Sequence, residues 1–127
     1  MAPPSAACIL VVDDTDIARI LCARVLREAG YEVAEARNGV EALERLRSGA
    51  CPDLLVTDSN MPVMDGTRLI AEARQLHPGL PIVRISGSHG LSGARDSIPS
   101  NVMTLDKPFE NEELLSVVAA MLGGAGS

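Results

Sequence analysis

The sequence predicts an α/β domain: a five-stranded parallel sheet with helices on both faces. Two observations carry that prediction. Short apolar runs alternate five times with segments whose apolar residues recur at helical spacing. The runs are bounded by turn residues and read as buried strands, the kind that parallel sheets cover with helices on each side. Strand–helix alternation of this type closes through right-handed crossovers. The 127 residues suffice for one such domain and fall short of two ordinary ones.

Taken in order, residues 1–6 are rich in Pro and Ala and read as a flexible N-terminus. Cys8-Ile9-Leu10-Val11-Val12 is the first strand, ended abruptly by Asp13-Asp14. From Thr15 the period changes. Ile17, Ile20, Leu21 and Val25 share one face of an amphipathic helix, with Arg19, Arg27 and Glu28 elsewhere. Gly30 ends it as a left-handed cap. Tyr31-Glu32-Val33-Ala34 is a shorter, more polar strand, which suits a sheet edge. Asn38 can cap the second helix, with Glu41 placed three residues on as in a capping box. Val40, Leu43 and Leu46 are its expected buried stripe.

Leu54 to Thr57 is the third strand and delivers Asp58, after which Pro62 and Gly66 turn the chain away. Leu69, Ile70, Ala73 and Leu76 mark a third helix, stopped near His77-Pro78-Gly79. Pro81 to Ile85 is the fourth strand, with Ser86 at its end. Residues 87–100 hold three Gly and one Pro, so a helix around Leu91–Ser97 would be short and poorly held. Val102 to Leu105 is the fifth strand, followed by Asp106-Lys107-Pro108-Phe109. The last helix begins with Glu110, Glu112 and Glu113 at the positive end of its dipole. Its inner face is Leu114, Leu115, Val118, Met121 and Leu122. The domain is set at residues 7–122, with 123–127 as a flexible tail.

Composition excludes several functions. Net charge is −6 with both signs interspersed, which leaves no basic footprint for nucleic acid. No apolar run is long enough to span a bilayer. The first seven residues lack the charged start and apolar core of a signal peptide. Cys8, Cys22 and Cys51 are odd in number and show no metal-ligand spacing, so three reduced thiols in a cytoplasmic protein are expected.

The informative residues stand just past the strand ends: Asp13 and Asp14, Asp58, Ser86 and Lys107. Parallel strands bring all these ends to one edge of the sheet, where such folds hold their ligands. Three carboxylates side by side need compensating cations. Lys107 is the sole Lys beside ten Arg and supplies one charge. All-oxygen ligands select a hard ion such as Mg²⁺ for the rest. An Asp at the centre of such a site suits phosphoryl transfer, where it attacks phosphorus while metal and Lys spread the charge.

Four motifs then resemble the receiver domain of two-component response regulators: Val11-Val12-Asp13-Asp14, Asp58 to Gly66, Ser86-Gly87, and Asp106-Lys107-Pro108-Phe109. The resemblance covers about residues 7–122. It implies the flavodoxin-like (βα)5 three-layer sandwich, with strand order 2-1-3-4-5. It implies Asp58 as phosphoacceptor, Ser86 as switch hydroxyl and Lys107 as phosphate-binding Lys. Mg²⁺ would be held by Asp14, by Asp13 mainly through water, by Asp58 and by the backbone carbonyl of Asn60. The Lys107–Pro108 bond becomes a candidate for cis. Thr104 stands where the family places its switch aromatic, so an aromatic flip cannot carry the signal there. Phosphorylation is instead expected to order residues 87–100.

The resemblance implies a phosphorylation switch rather than an enzyme. Its partners would be a sensor histidine kinase or phosphotransfer protein and a downstream protein target, with no nucleic acid and no membrane. A monomer or a weak phosphorylation-dependent dimer is expected. An Asp-nucleophile phosphatase is the alternative, but that class places a second Asp two residues after the nucleophile, and Asn60 cannot transfer a proton. The chain reads as a single-domain regulator, or as a piece of a hybrid kinase or longer regulator.

Overall fold

The computed structural model describes residues 7–48, 52–58, 66–86, 102–106 and 109–123, with only the backbone of Gly66, Thr67, Ser86, Asp106 and Gly123. Five strands form one parallel sheet: β1 (Cys8–Val12), β2 (Glu32–Ala36), β3 (Leu54–Asp58), β4 (Ile82–Ser86) and β5 (Val102–Asp106). Their order is β2-β1-β3-β4-β5, as expected, and the polar β2 lies at an edge. The helices are α1 (Asp16–Glu28), α2 (Gly39–Arg47), α3 (Gly66–Leu76) and α4 (Asn111–Gly123). The expected helix at 91–97, the flexible N-terminus at 1–6, residues 124–127 of the expected tail, Asn60 and the Lys107–Pro108 bond lie outside the described residues, while Gly123, expected in the tail, ends α4.

The sheet is buried on both faces because its strands are apolar at successive positions. Leu10, Val12, Leu55 and Ile82 face one side and pack with Ala42, Leu43 and Leu46 of α2 and Leu69, Ile70 and Ala73 of α3. Ile9, Val11, Val56, Val83, Ile85 and Leu105 face the other, against Leu26 of α1 and Leu114 and Val118 of α4. Each fully buried Leu, Ile or Val stabilises the fold by roughly 1.5–3 kcal/mol.

The β1–β3 register is fixed at the amino ends of both strands. The Cys8 N–H donates to Asp53 Oδ2 at 2.8 Å, and the Asp53 N–H donates to the Cys8 carbonyl at 2.7 Å.

Local signals hold at the helix ends. Asn38 Oδ1 accepts from the Glu41 N–H at 2.8 Å. The Glu41 carboxylate reaches one residue further back than a capping box requires, to the Arg37 N–H at 2.7 Å. Gly30 adopts φ +106°, the left-handed conformation that closes α1.

The inward face of α1 corrects the sequence reading. Ile17, Ile20 and Leu21 are 72%, 52% and 55% exposed, while Arg19, Ala23 and Leu26 are buried. Two stripes on this helix share the 3.6 period. The sheet takes Arg19, Cys22, Ala23 and Leu26, whose small middle residues allow close approach, and leaves Ile17, Ile20 and Leu21 in water, while Val25 of that stripe is half-buried against the core. Val40 is also exposed; Gly39 and Ala42 join Leu43 and Leu46 on the inner face of α2. Leu76 at the end of α3 is partly exposed. Among the described residues no helix is long and apolar enough to cross a membrane.

Candidate functional site

The site follows from the register. Val12 pairs with Thr57 across β1 and β3, so the next residue on each strand, Asp13 and Asp58, stands at the same carboxyl edge. The next residue after Asp13 is Asp14, which leads into α1. One carboxylate oxygen from each of Asp13, Asp14 and Asp58 lies within 4.8 Å of the others. Asp13 and Asp58 are buried and Asp14 is exposed, so the cluster is a cup that meets solvent at Asp14.

Asp13 is held on several sides. Its N–H donates to the Ala36 carbonyl at 3.2 Å, at the end of β2. Its Oδ1 accepts from the Thr15 N–H at 2.9 Å. Its carbonyl accepts from Arg19 Nη1 at 3.1 Å. Asp58 ends β3, where the Thr57 hydroxyl donates to its carbonyl at 3.0 Å.

Arg19 is the neighbour of the acids that the Ile17, Ile20, Leu21 and Val25 face leaves out of account. The signal was present: Arg19, Cys22, Ala23 and Leu26 form a stripe of their own at i, i+3, i+4 and i+7. Its remaining donors meet Asp16 Oδ1 at 2.8 Å and Glu35 Oε1 at 3.1 Å. Burial opposes its charge, but those two acids outweigh burial and hold its pKa above the ordinary value. Cys22 lies on the same stripe. Burial, with the charges of Asp13 and Glu35 adding to it, pushes its thiol up to about 12. Cys8 and Cys22 are both free thiols.

The other strand ends reach the same edge. Asp58 pairs with Ile85, and Ser86 pairs with Asp106, so the backbones of Asp58, Ser86 and Asp106 end together. Lys107 and Asn60 lie outside the described residues, as does the Ser86 hydroxyl. Below this edge, Thr57, Arg84 and Thr104 form a polar row across three strands. Arg84 is 8% exposed, and its Nε and the Thr104 hydroxyl oxygen are buried without hydrogen-bond partners among the described residues.

The donor set fits a hard divalent cation. It offers carboxylate oxygens alone, close enough to share one ion, and their mutual repulsion needs positive charge to offset it. The acidic pocket is therefore consistent with a metal site.

Comparison with known proteins gives the family. The response regulator receiver domain model matches residues 9–119, nearly the whole chain. The chain belongs to the response regulator receiver family. This receiver domain is 37% identical over 115 residues to the response regulator receiver protein CpdR of Brucella abortus, covering 90% of this chain and 94% of that protein. It is 39% identical over 119 residues to the sensor kinase CckA of the same organism, covering 91% of this chain but 12% of the kinase. The crystal structure of a response regulator receiver protein from Sinorhizobium medicae superposes with a TM-score of 0.84 at 35% identity, covering 95% of this chain and 98% of that one. A receiver domain in two-component signalling is a phosphoacceptor rather than a turnover enzyme, and it implies a histidine kinase partner. The Asp13, Asp14 and Asp58 cluster is typical of the phosphorylation site of such domains.

Proposed function

We propose that this receiver domain takes a phosphoryl group onto Asp58 from a phosphohistidine of a sensor histidine kinase or phosphotransfer protein, and signals by protein contact. The observation that carries the reading is the meeting of three carboxylates within 4.8 Å at the carboxyl ends of β1 and β3. A carboxylate oxygen of Asp58 attacks phosphorus, the phosphorus–nitrogen bond to the donor imidazole breaks, and the imidazole leaves with that electron pair. Asp13, Asp14, Asp58 and the backbone carbonyl of Asn60 are the proposed holders of Mg²⁺. When bound, the ion supplies positive charge to the transferred oxygens. Lys107 and the Ser86 hydroxyl are assigned to those same oxygens. Burial of Asp13 and Asp58 keeps bulk water from the acids, and Asp14 meets the solvent from which a donor enters.

The donor protein must rest on the rim of the cup. The first turns of α1 are part of that rim and expose Ile17, Ile20 and Leu21. These apolar side chains are assigned to the donor contact.

The test is incubation with acetyl phosphate and Mg²⁺, read by intact mass. One phosphoryl group is expected on wild type and none on Asp58→Asn. No incorporation, or incorporation elsewhere, would overturn the reading. Ile17→Ser with Ile20→Ser should slow transfer from the cognate kinase and leave modification by acetyl phosphate unchanged.

A further inference from the structure

Arg19 is buried on α1, and each of its three donor nitrogens has a partner. Nη1 holds the Asp13 carbonyl, Nη2 meets Asp16 and Nε meets Glu35. Glu35 is held in turn by Arg27 Nη1 at 3.1 Å, and Arg27 Nη2 donates to the Val33 carbonyl at 2.9 Å. The guanidinium is thus fixed from both the helix and the edge strand β2.

The consequence lies in the peptide it grips. The Asp13 carbonyl belongs to the planar unit joining Asp13 to Asp14. The Asp13 N–H is already tied to Ala36. With the N–H fixed on one side and the carbonyl on the other, the Asp13 backbone has little freedom to rotate. The directions in which both carboxylates leave the backbone are then set together.

We propose that Arg19 is a positioning residue for the acid cluster: its planar fork locks the Asp13–Asp14 peptide so that both carboxylates face Asp58. A Lys at this position would keep the charge but could not present the same rigid fork to three acceptors. The proposal rests on the reading of the cluster as a Mg²⁺ site.

The experiment is Mg²⁺ titration, followed by the amide signals of Asp14 and Thr15. It compares wild type, Arg19→Gln, Arg19→Lys and Val118→Ala. The last removes buried volume from the same core on α4, a helix that contributes none of the three acids. Loss of an outer partner of a metal ligand typically weakens metal binding about 10–100-fold. That loss is expected for Arg19→Gln, with little recovery in Arg19→Lys. Val118→Ala should bind as wild type while showing lower stability to urea. If Arg19→Gln fails to fold, Glu35→Gln replaces it: it loosens the Nε contact and should weaken Mg²⁺ binding in the same direction by a smaller factor. Wild-type affinity in Arg19→Gln or, in its place, Glu35→Gln, full rescue by Arg19→Lys, or equal weakening in Val118→Ala would overturn the positioning role. Absence of Mg²⁺ binding in wild type itself would overturn the reading of the site and this proposal with it.

Discussion

Replacing Asp58 by Asn removes one of three negative charges from the cup. Two unit charges 4.8 Å apart repel by about 3.5 kcal/mol at an effective dielectric of about 20. The Asp13–Asp58 pair carries most of this, since both are buried and water screens them little. Exposed Asp14 contributes less. Both buried acids also make favourable contacts, and an amide keeps part of them. The expected net gain for Asp58→Asn, measured in EDTA, is about 1–2 kcal/mol. Mg²⁺ should act in the opposite sense. At 100 times its dissociation constant a ligand adds about 2.7 kcal/mol to the protein that binds it. Wild type should gain that amount, and the variant less than half of it. Urea unfolding followed by circular dichroism, with and without Mg²⁺, measures all four states. A variant no more stable than wild type in EDTA, or equally responsive to the ion, would refute the argument from charge crowding.

Asn38→Ala removes the cap on α2 and should cost about 1 kcal/mol, read as a lower urea midpoint at unchanged slope. Arg84→Met replaces a buried guanidinium whose Nε has no acceptor among the described residues, and should raise stability by about 1 kcal/mol or more. Native Cys22 should resist iodoacetamide at mildly alkaline pH and react once unfolded, because the thiolate is the nucleophile and its pKa stands at about 12. Its folded pKa lies above the unfolded value of 9.0, so the folded state holds this proton longer. Its stabilising contribution is complete below pH 9 and falls as pH rises towards 12, which urea midpoints across that range would show.

The strands were legible because a doubly covered strand announces itself by continuous apolar residues. The polar composition of Tyr31 to Ala34 placed β2 at an edge for the same reason. Caps were legible because Asn38, Glu41 and Gly30 act on atoms only a few residues away. The face of α1 was not legible from period alone. Both of its stripes recur every 3.6 residues, and the choice between them depends on how closely the helix approaches the sheet. Large Ile and Leu side chains suggested the wrong stripe; Cys22 and Ala23 permit the close packing that buries Arg19. The same period count points Val40 inward, where the smaller Gly39 and Ala42 are buried instead. Of the candidate site, the acids could be brought together from strand ends alone. Arg19 was legible only in part: its own stripe marks it as inward, but its hydrogen bond goes to the carbonyl of Asp13, an atom that side-chain patterns do not reveal.

The paired hydrogen bonds between Cys8 and Asp53 sit at the rim of the sheet furthest from the acids. They set the zero mark of a ruler whose far end is read five residues later. A shift of β3 by a single residue would carry Asp58 about 3.3 Å along the strand and turn its side chain to the opposite face. Chemistry at one pole of the molecule is therefore calibrated at the other, and substitutions at Asp53 belong among those able to silence it.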